Sequence, residues 1–265
     1  MLGAAHAALG ATLYHLGAVA SAYRHSAQGI ALYDPQQHRA SAFLYGQDAG
    51  VLCHGYTARE LWYLGSPDQG LAQNAEAVTL AQQIAHPFSL GSALRFAAMF
   101  HQVRREVRVA QERAEAAITL ATAQDFPNWI AFGAVLRSWA LAHQGQAQEG
   151  IEQMSQGLTA WRATGAEILR PYFLALLAEA HSIIGQPEAG LTVLTEALTL
   201  VDTTDECWYA PELYRLKGAL LLQQNAANQA EAETCFQQAI AIAQNQHAKS
   251  FTCTSWHLPI MHSTI

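Results

Sequence analysis

Leu174–Leu198 reads LALLAEAHSIIGQPEAGLTVLTEAL, and the whole architecture can be worked outward from it. Leu174, Leu177, Ala178 and His181 recur at i, i+3, i+4 and i+7, the period of a helix with one apolar face. Gly185 closes that helix. The turn Gln186–Pro187–Glu188 follows, with proline suited to a first helical position. Gly190, Leu191, Leu194, Ala197 and Leu198 then stripe a second helix at the same period. The stretch is therefore a helical hairpin, helix A and helix B.

The hairpin recurs every 40 residues. Gly65, Gly145 and Gly185 share one register; Ala58, Ala98, Ser138, Ala178 and Gly218 fill a second; Gly70, Ala110, Gly150, Gly190 and Ala230 fill a third. A fourth reads Ala77, Ala117, Gly157 and Ala197, continued by Ala239 after a slip of two residues. Such columns mark an array in which each unit buries its apolar face only against its neighbours. Small side chains are expected where helix A crosses helix B. Helix pairs are predicted at about 1–33, 48–85, 87–124, 127–164, 168–201 and 211–244, forming one solenoid over 1–249. Asp34 to Ser41 reads as a longer connection, and 250–265 as an irregular tail without helical period. That tail leaves the last pair short of apolar cover, so Phe236, Ala239 and Ile240 are expected to expose an apolar face.

Composition narrows the function. Charged residues are only 13% of the chain, so much of every helix must face another helix. The net charge is −7, with Lys217 and Lys249 the only lysines, which argues against a nucleic-acid or anionic-membrane surface. Arg104, Arg105 and Arg108 read as a solvated turn. Cys53, Cys207, Cys235 and Cys253 lack C-x-x-C spacing and no secretory leader precedes them, so reduced thiols in a cytoplasmic setting are expected. No apolar run approaches the roughly 20 residues that span a bilayer.

Catalytic signatures are missing. There is no G-x-x-x-x-G-K-[ST] phosphate loop, no H-E-x-x-H, and no pair of histidines at i, i+3 or i, i+4. No cofactor and no metal is expected. His101 and His181 share a register and read as packed histidines. Asp202, Asp205 and Glu206 read as a loop, with an Asp or Thr capping the next helix.

In the hairpin quoted above, Leu177, Ala178, Gly185, Gly190, Leu194 and Ala197 occupy the marked positions of the tetratricopeptide (TPR) repeat. The unit resembles that repeat, stretched from about 34 residues to 40. The resemblance implies an all-α fold, a right-handed α-α superhelical solenoid of TPR-like hairpins. QGIALYDPQQHR (Gln28–Arg39), GQDAGV (Gly46–Val51), AHPFSL (Ala85–Leu90), RPYFLALLAEA (Arg170–Ala180) and ELYRLKGALLL (Glu212–Leu222) are similar to the C-terminal repeats of bacterial multidomain signalling proteins. In those proteins an adenylate or guanylate cyclase domain or a signal-transducing AAA-type ATPase precedes the repeats. That resemblance implies a non-catalytic interaction and sensing arm, a piece of a longer protein. It would bind a peptide, a partner domain or a small ligand in its concave groove, the protein partner being another chain or its own upstream ATPase or cyclase module. Two alternatives stay open: the ligand-sensing superhelix of a transcriptional activator, and an all-α enzyme with its site in the groove.

In TPR-like arrays helix A lines the concave side. Projecting the register places Arg59, Tyr63, Arg95, Met99, Trp139, Tyr172, Glu179 and Arg215 there as candidate groove-binding residues. Aromatic and arginine side chains are the types enriched at binding hot spots. The competing reading packs Trp139 and Tyr172 between neighbouring A helices.

Overall fold

A computed structural model describes residues 2–35 and 41–252. Among the described residues every regular element is helical. Six hairpins follow one another: α1 (Leu2–His15) with α2 (Val19–Ala31), α4 (Ala49–Tyr63) with α5 (Pro67–Ile84), α6 (Pro87–Val103) with α7 (Val107–Ala123), α8 (Pro127–His143) with α9 (Ala147–Ala163), α10 (Arg170–Ile183) with α11 (Pro187–Thr204), and α12 (Ala210–Gln224) with α13 (Gln229–Asn245). Two short helices, α3 (Ser41–Tyr45) and α14 (Lys249–Thr252), lie outside the pairs. Each A helix packs on its own B helix and on the next A helix, so α4, α6, α8, α10 and α12 run as one inner layer. The chain is an all-α, TPR-like solenoid.

The small columns work by letting backbones touch. Ala58, Ala98, Ser138 and Ala178 are wholly buried. A methyl group on Gly70 would sit 2.6 Å from the Ala58 carbonyl oxygen, and one on Gly150 would sit 2.7 Å from that of Ser138. In the last pair the crossing partner of Gly218 is Ala232, not Ala230: a methyl on Gly218 would meet the Ala232 carbonyl oxygen at 3.0 Å, whereas Ala230 is exposed. The two-residue slip therefore begins in the α12–α13 turn, where a 3-10 turn (Ala226–Asn228) follows an extended Asn225.

Left-handed positions set the turns, two in each of the four middle hairpins. Gly17, Gly65, Gly145 and Gly185 end A helices at φ of +78°, +87°, +91° and +69°. Ala85, Asp125, Gly165 and Asp205 end B helices in the same region, and His247 continues that series two residues late. The first series has one member with a side chain, Arg105 at φ +61°.

The expected apolar face on the last pair is not there. Phe236 and Ala239 are buried, because the Phe236 ring fills the space beside Gly218 and packs with Leu221, Ala232 and Cys235; Ile240 stays exposed. Beyond α13 the chain returns to the first units. Phe251 lies 5.7 Å from the Trp62 ring and 5.0 Å from that of Tyr63, and Ser250 donates to the Trp62 carbonyl. The tail expected from residue 250 thus begins as the end of helix α14; its remainder, 253–265, lies outside the described residues, as does 36–40 of the connection. No described helix is long and apolar enough to cross a membrane. Cys53, Cys207 and Cys235 are free thiols.

Candidate functional site

The inner layer of A helices brings polar and aromatic side chains from distant units onto the axis of the array. They form two groups. The first surrounds Tyr14 and Phe96. Arg59, buried to 1%, lays its guanidinium 4.5 Å from the Tyr14 and Tyr56 ring centroids and 4.6 Å from that of Phe96. Its Nη1 reaches only Met99 Sδ at 3.5 Å. Arg95 covers Phe96 at 4.3 Å and Trp129 at 4.6 Å and stays partly exposed. Tyr63 packs edge-on to Tyr14 at 6.0 Å. Beside them Glu206 accepts from Leu169 N, from Trp208 Nε1 at 3.0 Å and from His15 Nδ1 at 3.1 Å, while His15 Nε2 meets the Tyr56 hydroxyl at 3.1 Å. Burial lowers the His15 pKa against the pull of Glu206. A neutral imidazole donating from Nδ1 must accept at Nε2, so Tyr56 is the donor.

The second group is a charged cluster. Arg105 bridges Glu179 of α10 and Glu212 of α12, and Arg215 holds Glu212 with two bonds of 2.7 and 2.8 Å. Trp139 Nε1 donates to Glu179 at 2.9 Å, and His143 stands 3.5 Å from the same carboxylate. Burial pushes the Glu179 carboxyl up, but Arg105, with His143 and Trp139, holds it at about 2. Glu212, 1% exposed, is shifted upward by burial despite its two arginines. Solvent still reaches this cluster: Arg105 keeps 35% of its side-chain surface, Arg215 24% and Glu179 14%. The cluster therefore joins three elements of the inner layer while keeping contact with solvent. Tyr172 lies between the groups, its hydroxyl donating to Gln102 at 2.8 Å and its ring 5.2 Å from Trp208.

The eight candidates thus divide. Arg59, Tyr63, Met99, Trp139 and Tyr172 are buried in the walls; Arg95, Glu179 and Arg215 keep contact with solvent. Residues the sequence reading did not single out complete both groups. Arg105 was placed with a solvated turn, yet its side chain points across the axis. Glu206 was placed in a capping loop, yet α12 is capped by Tyr209 with no side-chain bond, and Glu206 ties α1 to Leu169 and Trp208. His101 and His181 each bond the side chain five residues on, Glu106 and Gln186, and so staple their A–B turns. A cleft of about 340 Å³ between α2, α4 and α5 is lined by Tyr23, Ile30, Thr57, Leu61 and Gln73, with no charged side chain. Among the described residues no group of three or more His, Cys, Asp or Glu could hold a metal ion.

A TPR-like helical-repeat protein is the class that the fold defines. No protein-family model matches the chain, and no curated protein matches it in sequence. Among solved structures, it is similar to a Rap protein complexed with Competence and Sporulation Factor, at TM-score 0.66 and 14% identity over 91% of this chain. This chain spans 63% of that protein's length. It is also similar to the nearly identical TPR-like repeats of a putative kinesin light chain from Podosopora anserina, at TM-score 0.45 and 16% identity, covering 79% of this chain and 98% of that one.

Proposed function

We propose that the chain is a non-catalytic recognition module that takes a peptide, or an extended segment of a partner protein, into its axial recess. The observation that carries this reading is the partly exposed charged cluster Arg105–Glu179–Glu212–Arg215, assembled from the α6–α7 turn, α10 and α12. Polar groups that converge from separate helices and keep solvent contact are what a ligand's backbone and side chains need for orientation. Trp139 and Tyr172 supply aromatic walls beside them. The fold shared with a Rap protein complexed with Competence and Sporulation Factor supports the same reading. The runs Gln28–Arg39 and Glu212–Leu222 support a further step: occupancy of the recess is passed to an ATPase or cyclase module in a longer cytoplasmic protein.

The test is a display library of random peptides panned on the full chain. Enriched peptides are expected to lose about tenfold in affinity on Arg215→Ala, the loss of one charge-assisted contact. Peptides that bind the variant unchanged, or a library that enriches nothing, would count against the recess. ATP hydrolysis or cyclic-nucleotide synthesis abolished by a single substitution would show that the chain is an enzyme instead.

A further inference from the structure

Arg59 and Arg95 are two cations in one aromatic enclosure, and among the described residues neither forms a salt bridge. Arg59 Nη2 and Arg95 Nε are buried without a hydrogen-bond partner among the described residues, and no described carboxylate forms an ion pair with either guanidinium. The contacts they do make are poor substitutes. Arg59 Nε reaches the Gly55 carbonyl of its own helix only at 3.5 Å, and the ring faces of Tyr14, Tyr56, Phe96 and Trp129 attract charge but accept no strong hydrogen bond. A buried charge left uncompensated is costly, so its persistence needs a reason.

The acid next in sequence does not provide the compensation. Burial pushes the Glu60 carboxyl up to about 8, against the opposing pull of Ser26 and Arg59, which favours its neutral form and weakens it as a counter-charge. Its Oε1 accepts from Ser26 at 3.0 Å. Arg95 remains charged, since desolvation brings it down only to about 10. The Phe96 ring is common to both guanidiniums, 4.6 Å from one and 4.3 Å from the other. Arg95 still touches solvent.

We infer that Arg59 and Arg95 form an oxyanion receptor in the recess, binding a phosphate or carboxylate group carried by the ligand. Arg95, the accessible member, makes first contact through the terminal nitrogens of its guanidinium, and Arg59 supplies the second charge from behind Phe96. The inference rests on the reading of the recess as a binding site and adds the ligand's charge to it.

The probes are inorganic phosphate and acetate, titrated into the full chain at ionic strength held constant with chloride. Tryptophan fluorescence, which reports Trp129 beside Arg95, and the melting temperature are the readouts. A saturable response to either anion is expected. It should weaken by about tenfold in Arg95→Gln, the loss expected for one charged hydrogen bond, and return in part in Arg95→Lys. Circular dichroism establishes that both variants are folded. Tighter phosphate binding assigns a phosphate group; tighter acetate binding assigns a carboxylate. The receptor is disproved by responses no different from chloride, or by equal anion affinity in wild type and Arg95→Gln. Peptides from the panning experiment separate the two readings. Peptides that need Arg215 but ignore Arg95 leave the recess standing without its oxyanion receptor. Anion binding with no peptide enrichment leaves the receptor without a peptide ligand.

Discussion

His15 Nδ1 and Glu206 Oε1 stand 3.1 Å apart although they lie 191 positions apart in the chain, and this contact draws the first hairpin onto the loop between the fifth and sixth hairpins. Backbone bonds reinforce it: Cys207 N donates to the His15 carbonyl at 2.9 Å, and Gln246 Nε2 donates to the Cys207 carbonyl at 2.8 Å. Nearest-neighbour packing alone does not hold α1 in place. Glu206→Ala leaves the Leu169 N–H and the Trp208 indole N–H buried without acceptors, so a loss of about 3 kcal/mol or more is expected. Burial lowers the His15 pKa below its usual 6.5, so the unfolded chain binds the proton more readily and stability falls as pH drops below that value. Hydrogen exchange across Leu2–His15 should accelerate in the variant. Unchanged protection there would mean that the contact is incidental.

Arg105 holds a left-handed backbone, φ +61°, where its counterparts in other units are glycine. A residue with a Cβ costs about 1 kcal/mol or more in that region. Arg105→Gly removes this strain but strips the buried Glu179 of its main cation. Losing the partner of a buried charge costs about 3–5 kcal/mol, reduced here because solvent reaches both groups. A net loss of about 2 kcal/mol is therefore expected in chemical unfolding. Adding Glu179→Gln should recover much of it, since the amide needs no cation. A single variant as stable as wild type would mean that the arginine is there for ligand alone.

Glu60 and Glu179 predict opposite pH limbs. Glu179 has a folded pKa of about 2, depressed from 4.5, so its contribution is complete above pH 4.5 and is lost as pH falls towards 2. At about 1.4 kcal/mol per unit this is roughly 3 kcal/mol. Glu60 has a folded pKa of about 8, raised from 4.5, so the native state keeps a proton that the unfolded chain releases, and stability falls as pH rises from 4.5 to 8. The same conversion gives roughly 5 kcal/mol. Glu60→Gln should flatten the alkaline limb and leave the acid limb intact, as read from urea midpoints at pH 5 and pH 9. An alkaline limb that persists in Glu60→Gln would place its origin in another group.

The repeat was legible because backbone contact leaves a direct trace in composition. Ala98, Ser138 and Ala178 share one environment in the structure, as their common register implies. The closure was not legible. Nothing in local periodicity links His15 to Glu206, and the acidic run Asp202–Glu206 has the composition of an ordinary loop. Arg105 left a signal that went unread: it fills the gap at 40-residue spacing between Gly65 and Gly145. An arginine where the turn demands a left-handed residue points to a side chain with a task. Ala230 was assigned to the crossing column because its number fits, whereas the longer α12–α13 turn moves that place to Ala232.

Gly145 and Gly150 lie five residues apart and should fail for different reasons. At Gly150 an added methyl would lie 2.7 Å from the Ser138 carbonyl oxygen and 3.0 Å from Ala142 Cβ, and the backbone oxygen cannot yield without parting α8 from α9. Gly150→Ala gains about 1 kcal/mol of helix propensity but overpacks the crossing at a cost of about 1–3 kcal/mol. A net loss is expected. At Gly145 the methyl meets nothing within 4 Å, so the cost of Gly145→Ala is conformational alone, about 1–2 kcal/mol at φ +91°. Asparagine tells them apart. Its side chain tolerates left-handed backbone, so Gly145→Asn should be milder than Gly145→Ala, whereas Gly150→Asn should be worse than Gly150→Ala because its extra atoms enter the same closed crossing. Thermal unfolding of the four variants ranks them, and an asparagine better tolerated at 150 than at 145 would contradict backbone contact as the reason for the small column.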